Sequence, residues 1–226
     1  MLQSVWLPGV SPRDGLLLRR EHDGWLVTYG DLRTASDPPA GNELVVDGRG
    51  NAYVNGGGFN RMAGEEFAPG VIALAAPDGS ARQVAGGLAF PNGMLVMPGG
   101  LTLIVAESYA QRLTAFDIDA GGGLSNRRVW ADLGDGVPDS ICADAENAVW
   151  YADVPNKRCV RVREGGEELE AIDLDRGCFA CALGGSSGTT LFMLAQEWSG
   201  PQNMFTGLRP GLVLTTEAPA PRAGWP

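Results

Sequence analysis

Four segments of the chain share one pattern: a short apolar run, a turn rich in Gly, Asn or Asp, then a second apolar run. They are Asn42–Val54, Asn92–Val105, Asp139–Tyr151 and Phe179–Met193. Each reads as a β-hairpin. Their spacing of roughly 40–50 residues is that of propeller blades. Second hairpins fill the intervals at Gly70–Leu88, Arg112–Leu133 and Arg158–Leu174. Gly15–Leu32 looks like another outer hairpin, and Gly211–Thr216 like one more strand. The repeating unit is therefore four antiparallel strands. No window joins a 3.6-residue apolar period to helix caps, which radially arranged sheets explain. A large β-sandwich would not repeat hairpin pairs at one spacing.

The repeat predicts an all-β chain folded as a single propeller domain over residues 1–217. Its parts are a partial blade at 1–41 and blades at 42–88, 89–134, 135–175 and 176–217. That makes about five blades of the usual size. Ser4–Pro8 reads as a strand remnant, and the Pro/Ala-rich stretch 218–226 as a terminal peg or loose end. An open ring would expose blade edges, so self-association through those edges is expected.

Composition narrows the function. With 44% hydrophobic and 19% charged residues, the 226-residue chain is neither disordered nor too small for a core. Its 33 glycines have no three-residue period, which excludes collagen and leaves turns as their use. The net charge is −10 and no basic stripe is present, so nucleic acid is not an expected partner. No apolar run approaches the roughly 20 residues that span a membrane. The one histidine, His22, sits beside Asp23-Gly24 in a turn, which argues against histidine-based zinc or triad chemistry. Cys142, Cys159, Cys178 and Cys181 follow no secretory leader, and a reduced, cytoplasmic setting is expected. Cys178-Phe-Ala-Cys181 is formally CxxC, but alternation along a strand puts its two thiols on opposite faces and no second CxxC or nearby His completes a zinc set, so they read as buried strand cysteines. Trp130 and Trp150 read as core residues.

The ordered motifs resemble a known family. Phe90-Pro-Asn-Gly93 leads into Leu103–Ser108 and Arg112–Asp117; Leu124–Trp130 and Val137-Pro-Asp139 follow, then Arg158–Arg161 and Gly177–Gly185. Over about Gly41–Glu197 this succession resembles the senescence marker protein, gluconolactonase and luciferin-regenerating enzyme family. The resemblance implies a six-bladed propeller, here lacking the first blade, with one divalent metal in its central channel. It implies hydrolysis of lactones or related sugar-acid esters. Carried over by motif, the metal ligands are Asn92 of P-N-G and Asp139 of P-D. Asp139 doubles as catalytic base, and Asn42 contacts substrate. The first-blade Glu of the family has no counterpart after Met1, Glu43 follows Asn42 where Asp is usual, and Ser140 replaces a glycine.

Read from the residues alone, Asn42, Asn92 and Asp139 each open an inner hairpin, so all three should share one mouth of the channel. Second strands end beside them, which makes Glu107 and Asp153 candidate rim carboxylates. The plainer reading of those two is a solvated carboxylate, and of the Asn and Asp positions a turn residue. Oxygen ligands suit a hard cation, Ca²⁺ first, with Zn²⁺, Mn²⁺ or Mg²⁺ as alternatives. Two functions therefore stand: a metal-dependent lactonase, or a non-catalytic propeller that binds or scaffolds.

Overall fold

The computed structural model describes residues 15–37, 39–59, 64–200, 203 and 210–224; Ser4–Pro8 lies outside them. Strands β1 (Leu16–Arg20) and β2 (Leu26–Asp31) form a hairpin. A four-stranded meander follows, with β3 (Leu44–Val46), β4 (Ala52–Gly56), β5 (Gly70–Ala75) and β6 (Ala81–Leu88). The next holds β7 (Pro91–Val96), β8 (Thr102–Glu107), β9 (Arg112–Ile118) and β10 (Leu124–Asp132). Then come β11 (Pro138–Asp144), β12 (Val149–Asp153), β13 (Arg158–Val162) and β14 (Glu168–Asp173), and a last sheet of β15 (Gly177–Gly184), β16 (Thr190–Gln196) and β17 (Leu212–Glu217). Among the described residues helix is confined to short 3-10 turns such as Leu32–Thr34 and Ser108–Ala110. The all-β propeller-like arrangement matches the repeat.

On the inner strands of the three central sheets the apolar runs are nearly continuous because both faces are buried, whereas the first hairpin and the last sheet keep exposed positions such as Val27 and Val213. On β8, Leu103 and Val105 pack with Val45, Tyr53 and Ile72 of the preceding sheet. Their neighbours Ile104 and Ala106 pack with Ile141, Tyr151 and Val160 of the following one. Period-two alternation thus divides each strand between two inter-sheet cores. Trp130 and Trp150 both belong to these cores. Inner strands β3, β7, β11 and β15 stand side by side in that order.

Hairpin turns reuse one device. Buried Asp47 accepts from the N–H groups of Arg49 and Asn51, each at 2.9 Å. Buried Asp144 does the same for Glu146 at 2.9 Å and Ala148 at 3.1 Å. A carboxylate that satisfies two turn amides fixes the loop and hence the strand register. The left-handed position of the turn is Gly50 in one copy and Asn147 in the other, at φ 90° and 61°. Those are the two residue types that tolerate it.

The tail is fastened over residues 218–223. Ala218 and Ala220 are buried, and β18 (Arg222–Ala223) pairs with the end of β11 through Asp144↔Arg222 and Ala143↔Ala223.

Strand alternation fails at the CxxC. Cys178 and Cys181 are both buried in one cluster with Cys142 and Cys159. A register shift between Cys178 and Ala180 against β16 is the reason: the extra residue reverses the parity of facing. Contact with the Cys181 thiol, then burial, pushes Cys142 well above the ordinary thiol range, and contact with Cys178, then burial, does so for Cys159. Thiolate is the reactive form. A disulfide reagent at pH 8 should therefore label none of the four free cysteines in the native protein and all four after unfolding. Rapid native labelling of even one would show that this core opens.

Candidate functional site

Asn92 and Asp139 are the second residues of β7 and β11, and Asn42 lies two residues before β3. The hairpin registers are irregular at the same step, between Pro91 and Met94 and between Pro138 and Ile141. Such bulges re-aim side chains at strand ends. Gly93 is required here. A Cβ on it would come within 2.7 Å of the Asp139 carbonyl oxygen and of the Ile141 nitrogen. Without a side chain, β7 approaches the β11 backbone closely and brings Asn92 beside Asp139.

Hydrogen bonds tie the three sheets at this mouth. Asn42 Nδ2 donates to Asn92 Oδ1 and to the Pro91 carbonyl, each at 3.2 Å. Asn92 Nδ2 donates to Ser108 Oγ at 3.1 Å, and Ser108 Oγ donates to the Pro138 carbonyl at 2.6 Å. Asn55, fully buried, donates from Nδ2 to the Asn92 carbonyl at 2.5 Å and accepts at Oδ1 from the Glu43 N–H at 3.2 Å. Asn42 and Asn92 are thus brought together, and Asn55 holds the backbone of Asn92 and Glu43 in place.

Glu43 is the residue the motifs did not single out. It lines a cavity of about 610 Å³ between the inner strands, together with Gly93, Ser140, Cys181 and Arg222. The half-buried carboxyl of Asp139 makes no hydrogen bond or ion pair among the described residues. Burial, and then the negative charge of Glu43, push it up to about 7. Burial raises Glu43 as well. The signal that could have found Glu43 is its place: an acidic residue immediately before a strand that faces the channel.

Glu107 and Asp153 do not join this group, and neither is solvated. Glu107 is fully buried and bound by the Ala89 N–H, Thr114 and the guanidinium groups of Arg112 and Arg127. Asp153, also fully buried, accepts from Asn156 and Arg158. Their arginine partners come from neighbouring strands and turns, which strand-end position alone does not disclose.

The donor set at the mouth is all oxygen: carboxylates of Glu43 and Asp139 and the carboxamide of Asn92. Two carboxylates, both raised by burial and Asp139 also by the charge of Glu43, with no cationic side chain paired to either among the described residues, fit a hard divalent ion. Among the described residues no three His, Cys, Asp or Glu side chains converge as a metal cage. A cation there would complete its shell with amide oxygens and water.

Comparison with known proteins agrees with this architecture. Residues 13–197 match the family described as SMP-30/Gluconolactonase/LRE-like region. A regucalcin of Danio rerio is 33% identical over 92 residues, 38% of this chain and 31% of the relative; the match thus spans about a third of that curated protein. A luciferin-regenerating enzyme superposes with a TM-score of 0.77 at 16% identity, over 96% of this chain and 78% of that one. A calcium-binding protein, regucalcin of Agrobacterium tumefaciens, gives a TM-score of 0.70 at 22% identity, over 93% and 74%. No helix among the described residues is long and apolar enough to cross a membrane.

Proposed function

The chain belongs to the SMP-30/gluconolactonase/LRE-like family, and on that premise we propose that it hydrolyses lactones at the mouth formed by Asn42, Glu43, Asn92 and Asp139. The observation that carries the reading is Asp139. Its carboxyl has no hydrogen-bond or ion-pair partner among the described residues, and in the metal-free protein burial, then the charge of Glu43, push it up to about 7, the range in which a general base works best at neutral pH. Asp139 takes a proton from water, the oxygen of that water adds to the lactone carbonyl, the ring C–O bond breaks, and the proton passes from Asp139 to the departing ring oxygen. The product is a hydroxy acid. Both donor positions of the Asn42 amide are used inside the site; its Oδ1 remains as an acceptor for a substrate hydroxyl or a bound water. Asn92 is held at both ends of its amide, by Asn42 and Ser108, so it meets substrate already oriented.

Glu43, Asn92 and Asp139 would hold the divalent cation of the family, Ca²⁺ first. Such an ion polarises a carbonyl and lowers the pKa of bound water.

The test is lactone opening before and after exhaustive chelation. Activity should vanish with chelator and return with added Ca²⁺, Mn²⁺ or Zn²⁺. In Glu43→Gln, calorimetry should show cation affinity reduced at least about tenfold, as for loss of a charged ligand. Equal activity after chelation would remove the metal from the reading. A protein that opens no lactone and binds no cation would be the non-catalytic propeller.

A further inference from the structure

Four aromatic side chains from three separate loops gather beside this mouth. Phe90 and Tyr109 stack at 4.6 Å with their planes 11° apart. Phe59 lies 5.8 Å from Phe90 and 5.5 Å from Phe67, and Phe67 lies 5.8 Å from Tyr109. The cluster is not a core: Phe67 is 50% and Tyr109 45% exposed.

Its connection to the site is direct. Phe90 precedes Pro91-Asn92, and its carbonyl accepts from the Ser108 N–H at 3.1 Å. Ser108 is the residue that accepts from Asn92 and donates to Pro138, next to Asp139. Tyr109 follows Ser108, and its N–H donates to the Ala89 carbonyl at 3.1 Å. One short hydrogen-bonded network therefore sets both the aromatic stack and the candidate catalytic groups. Phe90 also stands in the left-handed region, at φ 59°, where a bulky residue is a strained outlier. Strain that persists at a ligand site is a pointer to use. Here the strain turns a large ring onto Tyr109 instead of into an inter-sheet core.

We propose that Phe59, Phe67, Phe90 and Tyr109 form the subsite for the substituent of the substrate, and that the preferred lactones carry an aromatic or long alkyl group rather than a hydroxyl-rich chain. This rests on the lactonase reading. Among the four side chains the only polar atom is the Tyr109 hydroxyl, so a polyhydroxylated substituent would give up water without matching hydrogen bonds. An aryl or alkyl group gains by covering exposed rings. Stacking rings also discriminate by shape, because offset and edge contacts favour a flat partner.

The experiment compares two substrates with the same reacting ring: γ-phenyl-γ-butyrolactone and γ-(hydroxymethyl)-γ-butyrolactone. The wild-type kcat/KM should be at least tenfold higher for the phenyl compound. Phe67→Ala and Tyr109→Ala, both at exposed loop positions, should each reduce that ratio threefold or more, and the double variant tenfold or more. A ratio near one in the wild type, or a ratio unmoved by both substitutions, overturns the proposal. If the protein opens neither lactone, calorimetry with γ-phenyl-γ-butyrolactone separates the two readings. Binding lost in the double variant keeps the subsite and removes the lactonase; no binding removes the subsite. A change in sedimentation on substitution, with the substrate ratio unmoved, would reassign the patch to a protein interface.

Discussion

Asp139→Asn should abolish most lactone hydrolysis and, in the same protein, raise the melting temperature at pH 8. The two effects have one origin. Asparagine cannot take a proton from water, and loss of a positioned base typically lowers the rate by about 10²–10⁴-fold. The ionised carboxylate, meanwhile, is held against its preference by burial and by Glu43, which move it from an ordinary 3.8 to about 7. In the window between about 4 and about 7 the folded state keeps a proton that the unfolded chain has released. Stability of the metal-free protein therefore falls as pH rises through that window, and stays low above it. At about 1.4 kcal/mol per unit, the ceiling on this destabilisation is roughly 4 kcal/mol. Each kcal/mol shifts the melting temperature of a domain this size by about 2–4 °C. Thermal scans in chelator from pH 5 to 8 should show the wild type losing stability with rising pH and the variant nearly flat over the same range. Equal pH dependence in both proteins would mean that Asp139 is an ordinary solvated carboxylate, and the general-base role would fall with it. Glu43→Gln should reproduce part of the flattening, since it removes the repelling charge while leaving Asp139 buried.

What could be read in advance follows from what is local. The inner hairpins were legible because both faces of the central sheets are buried, so strands appear as short apolar runs punctuated by Asp, Asn and Gly turns. Leu103–Ala106 on β8 is the clearest case. Asn42 and Asn92 were legible because each opens an inner hairpin, and equivalent positions in repeated units share one end of the channel. Glu43 was missed because facing is set by geometry at the strand entrance, where Asn55 holds its backbone from another strand. The burial of the CxxC cysteines on a strand was legible, but not their shared face: a single extra residue in β15 reverses which face later side chains occupy. The aromatic group was out of reach altogether. Phe90 and Tyr109 flank the paired ends of β7 and β8, but Phe59 and Phe67 come from the preceding sheet, and only the meeting of two sheets brings them to that stack. Long-range ionic capture was equally hidden, and Glu107 shows what that does to a functional guess.

Glu107→Ala should be among the most destabilising single substitutions in the chain while leaving the candidate site alone. The carboxylate is fully buried. Oε2 accepts from the Ala89 N–H at 2.7 Å; Oε1 accepts from Thr114 Oγ at 2.5 Å and from Arg112 and Arg127, each at 3.0 Å. Burial pulls its pKa up, but the Ala89 amide, Thr114 and the two guanidinium groups together hold it below the usual carboxylate range. The stabilising contribution is thus fully present above about pH 5 and fades as pH falls through the lowered folded value. Removing the side chain leaves a buried N–H and a buried hydroxyl unpaired and releases two arginines. Breaking a buried ion pair from one side typically destabilises by about 3–5 kcal/mol. Arg112 and Arg127 are each about one-third exposed, at 33% and 34%, and can turn to water, so the lower half of that range applies. A fall in melting temperature of roughly 6–16 °C follows. Glu107→Gln keeps the shape but not the charge, and should fall between the wild type and alanine. Because the Ala89 amide bound by Glu107 lies in the loop that carries Phe90, the measurement that decides its role is kcat/KM per folded molecule, taken well below the melting transition. A value within about twofold of wild type, with the large thermal shift, assigns Glu107 to the scaffold. Lost activity in Glu107→Gln at an unchanged melting temperature would instead place it in the site, as strand-end position alone had suggested.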